Sequence, residues 1–135
     1  MRLNYDCIRD ILFYLENNLN FDDGLRWPRV SMQDIFEGLS DRNYTLPDIA
    51  YSLLKMDEAG LIQGHAQSAN NELVFYIVSA ITYDGHEFIS KIRSDTVWKK
   101  TKGVLSKIGS ASVSIISSVA AKVLTELIAS TPVVS

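Results

Sequence analysis

The feature that most narrows the fold of this chain is a change of hydrophobic period at Gly60. Before it, Ile49, Ala50, Leu53, Leu54 and Met56 recur at helical spacing. After it, Leu61 and Ile62 open a strand, and the β-branched and aromatic run Leu73 to Ile81 forms its partner. The junction LKMDEAGLI, residues 54–62, therefore reads as a helix stopped by a glycine that tolerates a left-handed backbone. A helix handing over to a β-hairpin predicts a mixed α+β domain. The polar stretch GHAQSANN, Gly64 to Asn71, is expected as the hairpin's loop.

The segments upstream complete a pattern. Ile8, Ile11, Leu12, Leu15 and Leu19 form the stripe of an amphipathic helix over about Tyr5 to Asn18, ended by the Asn- and Asp-rich turn at residues 17–24. Leu25 to Val30 reads as a short extended piece, which Pro28 confines to a sheet edge. Ser31 with Asp34 starts a short helix over Met32 to Leu39, with Ile35, Phe36 and Leu39 inward. Thr45, Pro47 and Asp48 start the helix that ends at Ala59. Helix, short strand, helix, helix, hairpin is the element order of a winged helix-turn-helix.

Downstream, Thr82 caps a fourth helix with Phe88, Ile89 and Ile92 inward. Ser94 or Asp95 opens a fifth through Val97, Trp98, Val104, Leu105 and Ile108, broken at Gly109. The last segment, SASVSIISSVAAKVLTELIAS, carries Val113, Ile116, Ala120, Val123 and Leu127 on one stripe, widened by Ile115, Val119, Leu124 and Ile128. So broad an apolar face must be covered. It can dock at home, pair with sister copies or enter a membrane. Lys122 and Glu126 disfavour insertion, and self-association into a homo-oligomer is the expected outcome. The organisation expected is a winged-helix domain over 1–93, a basic linking helix over 94–109 and a self-associating segment over 110–135.

Charge is unevenly placed. Residues 1–60 hold eleven carboxylates against six cations, whereas Lys91, Arg93, Lys99, Lys100, Lys102 and Lys107 face Asp95 alone within residues 91–107. That stretch, supplemented by Arg26, Arg29 and Arg42, is the candidate nucleic-acid contact. The helix in the recognition position offers Asp48, Tyr51, Ser52, Lys55 and Glu58 outward, with one cation among them, and the wing has no Lys or Arg. Base reading there is not expected. Tyr44, Tyr51 and Trp27 are candidate base contacts, with core packing the ordinary alternative for aromatics.

Enzyme chemistry finds no support. Asp84, His86 and Glu87 in TYDGHEF, with His65, are the nearest approach to an acid–base or metal site. Carboxylates in a first helical turn have an ordinary electrostatic reason to be there, and no second histidine stands at ligand spacing. Glycine-rich phosphate loops, GxSxG and HExxH are absent, and no cofactor is expected. The lone Cys7 reads as a small buried hydrophobe. An N-terminus interrupted by charge lacks the core of a signal peptide, and a cytoplasmic protein is expected.

Four blocks, MRLNYDCIRDILFYLE, EAGLI, ITYDGHEFI, and IRSDTVWKKTK before a glycine and a serine-rich apolar tail, resemble a bacterial and prophage family, the domain-of-unknown-function family numbered 2513. The resemblance spans nearly the whole chain. It implies a small winged-helix protein in a phage or mobile-element setting and supplies no activity or site residues. The expected role is a non-enzymatic interaction or regulatory module. The alternatives are a DNA-binding regulator using residues 91–107, and a phage defence or counter-defence protein that binds a host or phage protein.

Overall fold

The structure, a computed structural model, describes residues 1–130. These residues form six α-helices and one three-stranded antiparallel sheet. Helix α1 (Tyr5–Asn18) begins where the Asn4 side chain accepts a hydrogen bond from the Cys7 amide, and buries Cys7, Ile8, Ile11, Leu12 and Leu15. Strand β1 (Val30–Ser31) leads directly into α2 (Met32–Gly38). A single 3₁₀ turn over Ser40–Arg42 precedes α3 (Leu46–Glu58). Strands β2 (Ile62–Ala69) and β3 (Glu72–Ile81) follow, then α4 (Tyr83–Ile92), α5 (Asp95–Ile108) and α6 (Val113–Ser130).

The polar punctuation sets the helix starts. Ser31 with Asp34, and Thr45 with Asp48, close reciprocal capping boxes; Thr82 and Ser94 accept from the amides of Gly85 and Val97. Each pairing satisfies amide groups that a helix start would otherwise leave without partners. Gly60, at φ 80°, ends the α3 turn.

Strand order is β1-β3-β2, with Val30 opposite Val78 and Ile62 opposite Ile81. The extended piece expected over Leu25 to Val30 is shorter and later than that. Leu25 is left-handed at φ 58°, and Pro28 has no amide to give a ladder. The loop expected over Gly64 to Asn71 is strand as far as Ala69, closed by Asn70 and Asn71, both left-handed, in a two-residue turn. Residues 65–69 are exposed, so no buried face imprinted an alternating pattern on their sequence.

One hydrophobic cluster extends from Cys7 on α1 to Ala120 on α6, so α5 and the first part of α6 share the core of residues 1–93. Val104 and Ile108, among the apolar residues that mark α5 in the sequence, are 40% and 51% exposed. Thr101 takes a core position of α5 instead, and its hydroxyl donates to the Val97 carbonyl at 2.7 Å. Inside the helix this satisfies the one polar atom that would oppose burial.

The α6 stripe is covered within the chain. Val113, Ile116, Ala120 and Val123 are buried and Leu127 half-buried, with α6 packed on α5 and α4. These five residues were expected to form a self-association surface; they face the chain's own body, whereas Ile115 and Ile128, expected to widen that face, are 41% and 65% exposed beside the outward Ser114, Ser118, Lys122 and Thr125. Sequence periodicity shows that a face must be covered but not which surface covers it. The last five residues of the segment expected to self-associate, 131–135, lie outside the described residues.

Candidate interaction surface

Three of the six residues expected to contact nucleic acid are engaged within the chain. Arg93 donates to Glu16 at 2.6 Å, Lys102 to Asp6 at 2.9 Å, and Lys91 approaches the Ser117 hydroxyl at 3.5 Å. Asp6 also accepts from the Trp98 indole at 2.8 Å. Burial alone would raise the Asp6 pKa, but the bonds from Trp98 and Lys102 and the charges of Lys102 and Arg9 outweigh it and lower the pKa below the usual carboxylate value. Arg9 donates to the carbonyls of Ile92 and Arg93 and to Asp95, with its guanidinium 4.7 Å from the centre of the Phe13 ring. Part of the basic stretch thus clamps α1 to the α4–α5 junction. Lys99, Lys100 and Lys107 are exposed, with no carboxylate partner among the described residues.

Of the supplementary arginines, Arg26 pairs with Asp22 at 3.7 Å and Arg42 with Asp10 at the same distance, whereas Arg29 is exposed.

Two of the outward candidates on α3 are engaged within the chain. Ser52, expected outward, is buried beside the Cys7 thiol, while Asp48 is committed to its capping box. Tyr51, Lys55 and Glu58 line an open groove whose other wall is Met1–Leu3 and the α5–α6 connection, Ser110–Ser112. The one cation, Lys55, is paired with Glu58 at 3.0 Å and lies 5.6 Å from the centre of the Tyr51 ring. A duplex-reading helix uses free donors and a positive approach, and on this face the cation of α3 is already paired with a carboxylate. The Asp57 carboxylate is engaged in the fold, where it accepts from the Tyr76 hydroxyl at 2.7 Å. Burial and that carboxylate raise the Tyr76 pKa.

Tyr44 is half-buried and donates to Asp10 at 2.6 Å, so it is not a free base contact. Trp27 is the opposite case. It stands in the α1–β1 connection at 82% exposure, beside Leu25 at 76% and Phe21 at 54%. The Phe21 and Trp27 rings meet at 5.4 Å between centres, tilted by 49°. The loop around them is built rather than loose. The Leu25 amide donates to the Asp22 carbonyl at 3.0 Å, and the Arg26 amide to the Asp22 carboxylate at 3.0 Å. Leu25 holds a positive φ, a strained setting for a branched residue. A cleft of about 310 Å³ opens beneath the aromatics, lined by Leu15, Leu19, Pro28, Ile81 and His86 among others.

Core packing was the ordinary reading of Trp27. The signal against it was its place in a turn-rich segment, with no apolar partner at strand or helix spacing. Phe21 and Leu25, which complete the patch, carried no signal in sequence beyond their proximity to it.

TYDGHEF owes its form to Gly85. A Cβ there would overlap the Leu61 carbonyl and the Ile81 side chain, so α4 can only approach the sheet at a glycine. Asp84, His86 and Glu87 flank it on the surface, and His65 stands exposed on the hairpin. Among the described residues no group of three His, Cys, Asp or Glu side chains is placed to hold a metal ion. Cys7 is fully buried, and burial pushes its thiol up to about 11 despite the neighbouring Ser52 hydroxyl.

The family described as hypothetical protein (DUF2513) matches residues 2–112. A protein of Haemophilus influenzae described as uncharacterized is 32% identical over 130 residues, covering 96% of this chain and all of that protein. No solved structure matches.

Proposed function

The chain belongs to the DUF2513 family, and on that footing we propose a non-enzymatic, cytoplasmic protein-interaction module built on a winged helix. Its partner-facing surface is the loop carrying Phe21, Leu25 and Trp27. The element order from α1 to β3 supports the winged-helix description. A phage or mobile-element setting, including defence or counter-defence through a bound host or phage protein, is the context that the family resemblance implies.

The observation that carries this reading is the exposure of Trp27 with the tilted Phe21 ring beside it. Exposed tryptophan on an ordered loop is costly in water and is the side chain most enriched among interface hot spots. Self-assembly through the α6 stripe is not included, because the stripe is already covered. The test is affinity capture with the full chain from uninfected and phage-infected bacterial cultures, with Trp27→Ala and Phe21→Ala in parallel. A protein retained by the parent chain and lost with both variants, at unchanged melting temperature, is the expected result. Equal recovery by all three, or no recovery, overturns it.

A second reading, a DNA-binding regulator using α5, draws on the exposed Lys99, Lys100 and Lys107. Fluorescence anisotropy with a labelled duplex at low salt decides between the two. No binding is expected. Binding that weakens steeply with added salt would install the second reading.

A further inference from the structure

We propose that the outer face of α5, with the adjoining groove of α6, docks on an anionic lipid surface, independently of the Trp27 loop. Helices α5 and α6 carry five lysines against Asp95 and Glu126, whereas residues 1–94 carry fourteen carboxylates against eight cations. Asp95 is paired with Arg9, and of the five lysines only Lys102 has a carboxylate partner among the described residues. The molecule is therefore polarised, with a net positive charge on the α5–α6 hairpin and a net negative charge on the rest.

The same helix exposes aliphatic surface among those lysines. Lys100, Val104 and Ile108 follow at steps of four residues and Lys107 lies three beyond Val104, which places all four on one side of α5. Val104 and Ile108 are among the most exposed aliphatic residues of the helical layer. Beside them runs a groove of about 580 Å³, with Val104, Val123 and Leu127 in its lining, Lys100 and Lys107 on the α5 rim and Glu126 on the α6 rim.

Phosphate recognition by a duplex gives no return on exposed valine and isoleucine. A lipid interface rewards both features at once, with acyl contact for the aliphatics and anionic headgroups for ammonium groups that extend past them. A second copy seated across a two-fold axis would bring Lys100 and Lys107 against their own counterparts. Helix α6 is long and apolar enough to cross a bilayer, but its apolar stripe is buried against α4 and α5, so the contact is at the surface and not through it. The acidic remainder of the chain would be repelled by the same lipids, which fixes the orientation of docking.

Co-flotation of the full chain with vesicles tests this. Phosphatidylcholine vesicles containing about 30% phosphatidylglycerol are compared with pure phosphatidylcholine, at low and high salt. Partition onto the anionic vesicles alone, lost at high salt, is expected. Lys100→Gln with Lys107→Gln should weaken it about 30-fold, and Val104→Ser with Ile108→Ser should weaken it without altering its salt dependence. Lys55→Gln, on α3, should leave it unchanged. No partition at low salt, or equal partition onto pure phosphatidylcholine, overturns the proposal. So does duplex DNA binding that depends on Lys100 and Lys107 in the absence of vesicle binding.

Discussion

The Tyr76 hydroxyl donates to the Asp57 carboxylate at 2.7 Å, and its ring tip occupies the space where Gly64 has no side chain. One aromatic thus crosses a glycine in β2 to tie the hairpin to the end of α3. Tyr76→Phe should cost about 1.5–3 kcal/mol, as for a hydrogen bond to a charged group. Gly64→Ala should cost about 1–3 kcal/mol through overlap with the ring. Because both act on one contact, the double variant should fall short of the sum, read by urea denaturation.

Glycines 85 and 103 should respond with opposite signs. Alanine at 85 meets the Leu61 carbonyl, and backbone cannot move aside, so a loss of about 3 kcal/mol or more, or failure to fold, is expected. Nothing lies near a Cβ at 103, in the interior of α5. Gly103→Ala should stabilise by about 0.5–1 kcal/mol on helix propensity alone. Paired thermal melts distinguish them.

Alkali should unfold this protein early. The folded-state pKa values of Cys7, Tyr44 and Tyr76 are all raised, foremost by burial. The unfolded chain therefore loses these protons first, and stability present at neutral pH is lost as pH rises. The window opens near the ordinary thiol value of 9.0, with Cys7 following in the fold at about 11. Cys7→Ala should delay the onset towards the ordinary tyrosine value of 10.0. At the acid end the sign reverses: the lowered Asp6 pKa contributes stability that is present above the ordinary value of 3.8 and is lost as pH falls through the folded value. Chemical denaturation at stepped pH, with Asp6→Asn as the control, checks both limbs.

Ile116→Asp should destabilise the chain by several kcal/mol, since it places an unpaired charge in a filled core position. The mass of whatever remains folded should equal that of the parent in light scattering. A smaller particle at full thermal stability would instead restore the stripe as an interface between copies.

What the sequence disclosed follows from where the physics is local. Ser31 with Asp34, and Thr45 with Asp48, announce helix starts because a side chain answers a backbone amide three residues away. The α1 stripe was readable because one face is buried throughout. The β2 strand was not, because its exposed residues bury nothing. The exposure of Val104 and Ile108 was not legible, because periodicity gives an angle and not a neighbour. The clamps on Asp6 and Asp57 join residues 92 and 19 positions apart, a range at which no spacing rule operates. The surface now proposed for partners, around Trp27, was legible only as an unexplained aromatic.

The ties that α1 makes to the far end of the chain also bear on its biosynthesis. Trp98 and Lys102 meet Asp6, and Arg9 meets Asp95. A ribosome that has released the chain as far as α4 has made all three described strands, yet α1 still lacks the surface that seals it. Helix α1 emerges well before the surface that covers it, and a message cut short after the hairpin should yield a sticky, protease-sensitive product instead of a smaller working protein.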